Sequence, residues 1–172
     1  MKLSMRTNTM AAGLFALLLL ISCKNAEGTA EPGDETTRDT LAGLSEEALL
    51  DTVQKQTLKY FWDYAEPNSG MARERFHPDG NYPRNDSNVV TTGGSGFGLM
   101  AIVGGMEREF IPRDSAVARL DKIADFLASA DRYHGAWAHW IYGDTGKTRA
   151  FSKRDDGGDI VETSFLAQSH LA

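Results

Sequence analysis

The chain has 172 residues, and its 24 Asp and Glu outnumber its 18 Lys and Arg, which gives a formal net charge of −6 at pH 7. Hydrophobic residues form 41% of the sequence, which is enough for a packed core and excludes a disordered acidic tail. The acidic balance argues against nucleic acid or another polyanion as a partner, because such a partner requires a basic stripe.

Residues 1–22 have the organisation of a secretory signal peptide. A short basic segment precedes an apolar run over residues 11–21, which is too short to cross a bilayer comfortably. Cys23 follows a branched apolar residue and a small residue, and this arrangement resembles a bacterial lipobox. The alternatives are an ordinary signal peptide with an incidental cysteine, or an uncleaved anchor. We expect an exported bacterial lipoprotein, lipidated at Cys23 and anchored in a membrane on its periplasmic side or at the cell surface.

Residues 23–44 are rich in Thr, Gly, Glu and Asp and lack apolar periodicity, which predicts a flexible tether. The folding part is then residues 45–172. Ser45 is a good N-cap for a helix over residues 45–65, which ends before Pro67. Apolar and aromatic side chains recur along this helix at helical spacing and predict its buried stripe: Leu50, Val53, Thr57, Tyr60, Phe61 and Tyr64, widened by Leu58, Trp62 and Ala65.

The middle of the chain predicts a loop and two further helices. Residues 71–88 contain two prolines and no periodicity, so they form a loop, and a loop of this length in a compact domain is more often functional than idle. Residues 98–110 are apolar on nearly every face, which is typical of a helix buried on all sides. Asp114 is predicted to cap the next helix, which has one apolar stripe: Ala116, Leu120, Ile123 and Leu127.

The last predicted helix covers residues 160–172, after an aromatic-rich segment over residues 134–148 that contains turn signals. Helix follows helix, and no convincing strand pairs are apparent. The fold class is therefore all-α, with four or five helices and long loops.

The glycine-rich stretch NVVTTGGSGFGLMA, residues 88–101, contains a G-x-G-x-x-A pattern after a possible strand at residues 89–92. A dinucleotide fold would next need a second strand, ended by an acidic residue about 20 positions on. A helix follows instead. The glycines are better explained by close packing at the start of a helix, or by close approach of the backbone to a ligand.

The segment HGAWAHW brings two indoles, Trp137 and Trp140, together with His134 and His139. Indole faces suit stacking on sugar rings, but composition alone favours a place in the core for both tryptophans. The histidines lack the spacing of a metal site on one helix, and no metal site is predicted from them.

The segment KRDDGGDIVETSF, residues 153–165, carries the clustered acids Asp155, Asp159 and Glu162. Asp159 and Glu162 have the spacing of a capping box at the start of the last helix. A calcium loop is a second interpretation, but the spacing does not match an EF-hand. The third is glycoside hydrolysis, which needs one protonated and one ionised carboxyl group, and crowded acids push their pKa values apart. Spacing alone leaves these interpretations open, and capping and catalysis are compatible.

Four segments in this order resemble a known family: YFWDYAEPNSGMARER, VVTTGGSGFGLMAIVGGMEREFIPRDSAVARL, HGAWAHWIYGDTGKT and DDGGDIVETSFLAQ. Together they resemble the bacterial glucoamylase-like domain, and most closely glycoside hydrolase family 144, the β-1,2-glucanases. The resemblance covers about residues 46–172. Its most specific parts are the TTGGSGFG and DDGGDIVETSF segments.

The resemblance implies an (α/α)6 toroid of twelve helices that hydrolyses β-1,2-glucan with inversion to sophorose or sophoro-oligosaccharides. It implies that the catalytic residues are among Asp155, Asp159 and Glu162, and it implies no cofactor. The side chains that would line the substrate cleft are Trp137, His139, Trp140 and Arg75.

Four or five helices cannot close a twelve-helix toroid, so we expect these residues to be the N-terminal portion of the domain. We expect this portion to expose apolar faces, for example on both sides of residues 98–106, and therefore neither to fold stably nor to be active alone. Two other functions are consistent with the sequence. One is a non-catalytic glycan-binding lipoprotein, and the other is a glycosidase of the same fold with another linkage specificity.

Overall fold

The computed structural model describes residues 42–171, and four helices are the main elements of that part of the chain. The predicted signal peptide, the lipidation site Cys23 and the predicted tether up to residue 41 lie outside the described residues. The helices are α1 Glu46–Trp62, α2 Thr92–Glu107, α3 Arg113–Ser129 and α4 Ile160–Ser169. The short strands are β1 Val89–Thr91, β2 Arg132–Tyr133, β3 Ala136–Trp137 and β4 Trp140–Tyr142. Within residues 42–171, no helix is long and apolar enough to cross a membrane.

Two small antiparallel sheets correct the expectation that the chain has no strand pairs. Strand β1 pairs with β4, with Val90 opposite Ile141, and β2 pairs with β3 in a hairpin. The strands have only two or three residues each, too few for an alternating pattern to be visible. The β1–β4 pair is also formed across about fifty residues, so no local turn signal marks it.

Helix α1 begins as predicted but ends earlier and buries less of its stripe. The hydroxyl of Ser45 accepts a hydrogen bond from the Ala48 N–H at 3.3 Å, which confirms the N-cap. The helix ends at Trp62 rather than at residue 65. Leu58 is buried, whereas Leu50 and Val53 are about half exposed. The C-terminal half of the helix is therefore the part that contributes to the core.

Helix α2 begins at Thr92, six residues before the predicted start, and passes through the glycine-rich stretch. A Cβ on Gly96 would lie 2.7 Å from the Phe165 carbonyl oxygen, and one on Gly105 would lie 2.8 Å from the Leu58 side chain. Ordinary van der Waals contact begins at 3.4 Å. The glycines therefore allow α4 and α1 to pack directly on α2, which confirms the steric interpretation of the motif.

Helix α3 carries the predicted apolar stripe, but its N-cap is Pro112, and Asp114 lies in the first turn. Asp114 is therefore not the cap. The carbonyl of Pro112 accepts the Ala116 N–H at 3.0 Å, which begins the helix two residues earlier. Ala116, Ile123 and Leu127 are buried, as predicted.

Apolar side chains remain exposed along one face formed by α2 and α4. Phe97 and Met100 on α2 are 54% and 50% exposed, and Phe165 on α4 is 46% exposed. The rings of Phe97 and Phe165 lie 5.4 Å apart, so the two helices share this face. The face agrees with the expected exposure on α2, although Leu99 and Ile102 on the other side of the helix are buried.

Candidate active site

Asp159 is the N-cap of α4, as the sequence predicted. Its Oδ1 accepts hydrogen bonds from the N–H groups of Val161 at 2.9 Å and of Glu162 at 3.1 Å. The Asp159 N–H donates to the Trp137 carbonyl at 2.8 Å, where the chain before α4 runs beside β3. This pairing places the start of α4 against the aromatic-rich segment.

Glu162 does not complete the predicted capping box, because its carboxylate contacts another helix. Its Oε2 accepts a hydrogen bond from the Gly93 N–H, at the start of α2, at 2.8 Å, and one from Thr91 Oγ1 at 3.5 Å. Helix α2 has no acidic residue in its own first turn. Glu162 supplies the negative charge that the positive end of the α2 dipole favours. Its Oε1 has no hydrogen-bond partner among the described residues.

Gly93 is the residue that makes this contact possible. A Cβ at that position would overlap Oε2 of Glu162 and lie 2.9 Å from its Cδ. Gly93 is not among the site residues predicted from the sequence. The signal was the TTGG segment itself, because a glycine pair at the start of a helix indicates close approach of another group.

His139 lies between the two acids. Its Nδ1 is 3.1 Å from Asp159 Oδ2, and its Nε2 is 3.8 Å from Glu162 Oε2. The imidazole stacks on the indole of Trp140, with ring centroids 3.8 Å apart and an interplanar angle of 23°. The sequence analysis assigned His139 to substrate binding, whereas its contacts in the structure are with the two carboxylates and with Trp140.

The hydrogen bonds of Asp159 favour its ionised form. Burial raises the pKa of Asp159, but hydrogen bonds from the Glu162 and Val161 N–H groups and from His139 outweigh burial and hold the pKa below its ordinary value. Asp159 is therefore a carboxylate at neutral pH.

Asp155 shares a cavity of about 260 Å³ with this cluster, and its side chain has no hydrogen-bond partner among the described residues. The cavity is open to solvent and is lined by His139, Trp140, Arg154, Asp155, Gly157, Gly158, Asp159 and Ile160. All three predicted acids are thus close in the fold. Asp159 is within hydrogen-bond distance of His139, Glu162 lies beside the same ring, and Asp155 lies on the adjoining cavity.

The structure places Trp137 in the core rather than on this cavity. Its indole N–H donates to the Leu127 carbonyl at 3.1 Å, and the ring packs against the core cluster. A partly buried indole whose N–H is used in this way fits the core interpretation. Trp140 is the tryptophan that lines the cavity.

Arg75 lies in the loop over residues 71–88 and does not contact the acid cluster. Its guanidinium is bound to the Glu74 carboxylate, and its Nε is 3.6 Å from Asp86 Oδ2. The hydrogen bond from Arg75 lowers the pKa of Glu74. Asp86 is 1% exposed, and neither of its carboxylate oxygens has a hydrogen-bond partner among the described residues. Arg75 is therefore the nearby positive charge for a buried acid.

In the part of the chain that the structure describes, no group of three or more His, Cys, Asp or Glu side chains could hold a metal ion.

The chain is similar to curated and solved proteins over most of its length, although no protein-family model matches it. It is 52% identical, over 139 residues, to the exo β-1,2-glucooligosaccharide sophorohydrolase (non-reducing end) of Parabacteroides distasonis. It is 59% identical to the endo-β-1,2-glucanase of Chitinophaga pinensis, solved with sophorotriose and glucose, with a TM-score of 0.73. A glucoamylase-like protein of Bacteroides caccae is 58% identical, with a TM-score of 0.72.

The chain is related to the bacterial glucoamylase-like proteins. This relationship confirms the resemblance drawn from the four motifs and the all-α class, as a portion of an (α/α)6 toroid. The coverage is unequal. The match to the Parabacteroides protein covers 80% of this chain but 18% of that protein. Each match to the two structures covers 74% of this chain and 31% of the solved chain. The chain thus spans less than a third of these glucoamylase-like relatives.

Proposed function

We propose that this chain is part of a glycoside hydrolase that cleaves β-1,2-glucan with inversion and releases sophorose or sophoro-oligosaccharides. The observation that carries the proposal is the cluster of Asp159 and Glu162, fixed by the N–H groups of two helix starts beside an open cavity. The chain that holds this cluster is 52% and 59% identical to two enzymes named for β-1,2-glucans.

Inverting hydrolysis needs one carboxylate to activate water and one carboxylic acid to protonate the leaving oxygen. Asp159 is suited to the first role, because its hydrogen bonds keep it ionised. Its Oδ1 is used by the helix start, so Oδ2, which faces His139, is the oxygen that can still accept from a water.

The proton donor then has to be a different carboxyl group. Among the described residues, Asp155 lies on the same cavity without a hydrogen-bond partner, and Glu162 keeps Oε1 uncommitted. Both are candidates for this step. Trp140 presents its indole to the same cavity and is suited to stack on a sugar ring.

A hybrid enzyme tests the proposal, because the chain spans less than a third of its relatives. In this hybrid, residues 45–172 replace the matched segment of the Chitinophaga endo-β-1,2-glucanase. We expect the hybrid to hydrolyse β-1,2-glucan with inversion, which NMR of the first-formed anomer reports. We expect Asp159→Asn and Glu162→Gln each to lower kcat by roughly 10²–10⁴-fold.

The matched control is Asp156→Asn, a neighbouring acid that does not line the cavity. If the Asp159 and Glu162 variants hydrolysed at the rate of this control, the acids would only cap and hold helices. Binding of β-1,2-glucan without hydrolysis by the hybrid would favour the glycan-binding alternative.

We further propose that the protein is an exported lipoprotein tethered to a membrane through Cys23. The basic segment, the short apolar run and the residues before Cys23 support this proposal. The substrate would then be met outside the cytoplasm, where β-1,2-glucan oligosaccharides or polysaccharides are the proposed partners.

A further inference from the structure

The backbone of residues 137–139 is hydrogen-bonded to the starts of both α2 and α4. In the first turn of α4, Thr163 Oγ1 accepts the Trp137 N–H at 3.0 Å. One residue before the helix, the Asp159 N–H donates to the Trp137 carbonyl at 2.8 Å. The start of α4 is therefore attached to this segment by one side-chain hydroxyl and one backbone N–H.

The start of α2 is attached to the same segment in the same way. Thr92, the first residue of α2, is fully buried, and its hydroxyl donates to the Ala138 carbonyl. Its N–H donates to the His139 carbonyl at 3.0 Å. Three consecutive residues thus carry hydrogen bonds from two helices that are far apart in the sequence.

The hydroxyl of Thr163 is used for a tertiary contact rather than inside its own helix. A Ser or Thr hydroxyl within a helix commonly bonds the carbonyl four residues earlier. Ser164, the next residue along α4, does this with the Ile160 carbonyl at 2.6 Å. Thr163 instead accepts from the Trp137 N–H, and a Ser164 variant is therefore a natural control for it.

The two helix starts that bind residues 137–139 are also the ones that hold the acids. Asp159 is the N-cap of α4, and Glu162 lies in its first turn. The Glu162 carboxylate accepts the N–H of Gly93, the residue after Thr92, at 2.8 Å. The separation of the two carboxylates thus depends on how the start of α4 lies against the start of α2. Two hydrogen bonds fix the orientation of a helix start on the segment, whereas a single one would let it pivot.

We propose that Thr163 and Thr92 are positioning residues, whose hydroxyls fix the separation of the Asp159 and Glu162 carboxylates by binding one backbone segment from two helix starts. The effect on rate rests on the proposed hydrolase function, whereas the effect on geometry does not. Neither threonine is assigned a contact with the sugar.

The first test compares Thr163→Val with Thr163→Ser in the hybrid enzyme. Valine keeps the branched shape of threonine and removes the hydroxyl, whereas serine keeps the hydroxyl. We expect Thr163→Val to lower kcat by roughly 10–100-fold with little change in KM, because a displacement of about 1 Å in a catalytic group can cost 10²-fold in rate. Thr163→Ser should retain kcat within a few-fold. Circular dichroism at the assay temperature shows that each variant is folded.

Ser164→Ala is the matched control, because its hydroxyl bonds only within α4, and its kcat should equal that of the parent. Thr92→Val and Thr92→Ser repeat the comparison from α2, so the test does not depend on the folding of one variant. Equal losses in the valine and serine variants would overturn the proposal. So would a raised KM at unchanged kcat, which would make the threonines substrate contacts.

The second test measures the geometry directly, from crystal structures of the hybrid and its variants. The distance between Asp159 Oδ2 and Glu162 Oε2 should change by about 0.5 Å or more in each valine variant, which exceeds the tolerance of a catalytic site. It should stay unchanged in the serine variants and in Ser164→Ala. An unchanged distance in both valine variants would overturn the proposal. If the hybrid folds but does not hydrolyse β-1,2-glucan, the proposed function fails, and this distance still decides the role of the two hydroxyls.

Discussion

Replacing either of two glycines of α2 with alanine distinguishes the effect of helix packing from the effect of site geometry. Gly93 and Gly96 lie three residues apart, on the same face of the helix. A Cβ on Gly93 would meet the end of the Glu162 side chain, whereas one on Gly96 would meet the Phe165 carbonyl and the Leu166 Cα of α4. A side chain can rotate away from a new Cβ, but backbone cannot move without shifting the helix.

The two Gly→Ala variants should therefore fail in different ways. In Gly96→Ala the Cβ is 2.7 Å from the Phe165 oxygen, so α2 and α4 must separate. Such overpacking costs about 1–3 kcal/mol of the free energy of unfolding. In Gly93→Ala, Glu162 loses a charged hydrogen bond, about 1.5–3 kcal/mol, and the helix gains up to about 1 kcal/mol in propensity. Its stability should fall by roughly 0.5–2 kcal/mol.

The activity separates the variants more sharply than the stability does. A displacement of about 1 Å in a catalytic group can cost 10²-fold in rate, so Gly93→Ala should lower kcat of the hybrid by about that factor. Gly96→Ala should lower kcat less than Gly93→Ala at temperatures where it is folded, because its overlap is with the α4 backbone beyond Glu162 and not with the Glu162 carboxylate. Urea unfolding followed by circular dichroism, together with kcat on β-1,2-glucan, measures both effects.

A double variant checks that Gly93 acts through Glu162. Adding Gly93→Ala to Glu162→Gln should lower kcat little further, because both changes disrupt the same contact. Full activity in Gly93→Ala, or a multiplied loss in the double variant, would refute the assignment of Gly93 to the site.

Three further predictions concern Asp159, the pair of Arg75 and Asp86, and Cys23. The free energy of unfolding should be higher with Asp159 than with Asp159→Asn, and this difference should be fully present above about pH 4, the ordinary pKa of Asp. It should vanish as the pH falls through the lowered pKa of Asp159 in the folded protein. Urea unfolding of the hybrid from pH 7 to pH 2 measures the difference, and a constant value would contradict the prediction. Arg75→Met should destabilise the hybrid more when Asp86 is present than in Asp86→Asn, because Asp86 is buried beside it, and additive losses would show no pairing. Cys23→Ala should move the protein from the membrane fraction to the soluble fraction of an expressing bacterium, and mass spectrometry should find acyl groups only on the Cys23 form.

The helical class and the acids could be predicted from the sequence because their signals are local. Ser45 and Asp159 are caps whose effect acts within three residues, and both were predicted correctly. The start of α2 was placed six residues too late because glycines weaken a helix signal. Helix propensity also does not show that these glycines let α4 pack closely on α2.

The partner of Glu162 could not be predicted for a related reason. The spacing of Asp159 and Glu162 matches a capping box, and within one helix that is the nearest use for the second carboxylate. The contact with Gly93 instead joins positions 69 residues apart. Local spacing shows that a residue is near a helix start but not which helix start it serves.

The geometry also changes what the acid cluster means for the mechanism. Crowded carboxylates were expected to repel each other, so that one would stay protonated. The structure instead surrounds them with donors: the N–H groups of Val161 and Glu162, the N–H of Gly93, and His139 between them. Partial charge from the starts of α2 and α4 and the hydrogen bond with His139 offset the repulsion, so Asp159 remains ionised. The protein can therefore keep a base at this position, and the proton donor for hydrolysis has to be a different carboxyl group, either Asp155 on the adjoining cavity or Glu162 through its uncommitted Oε1.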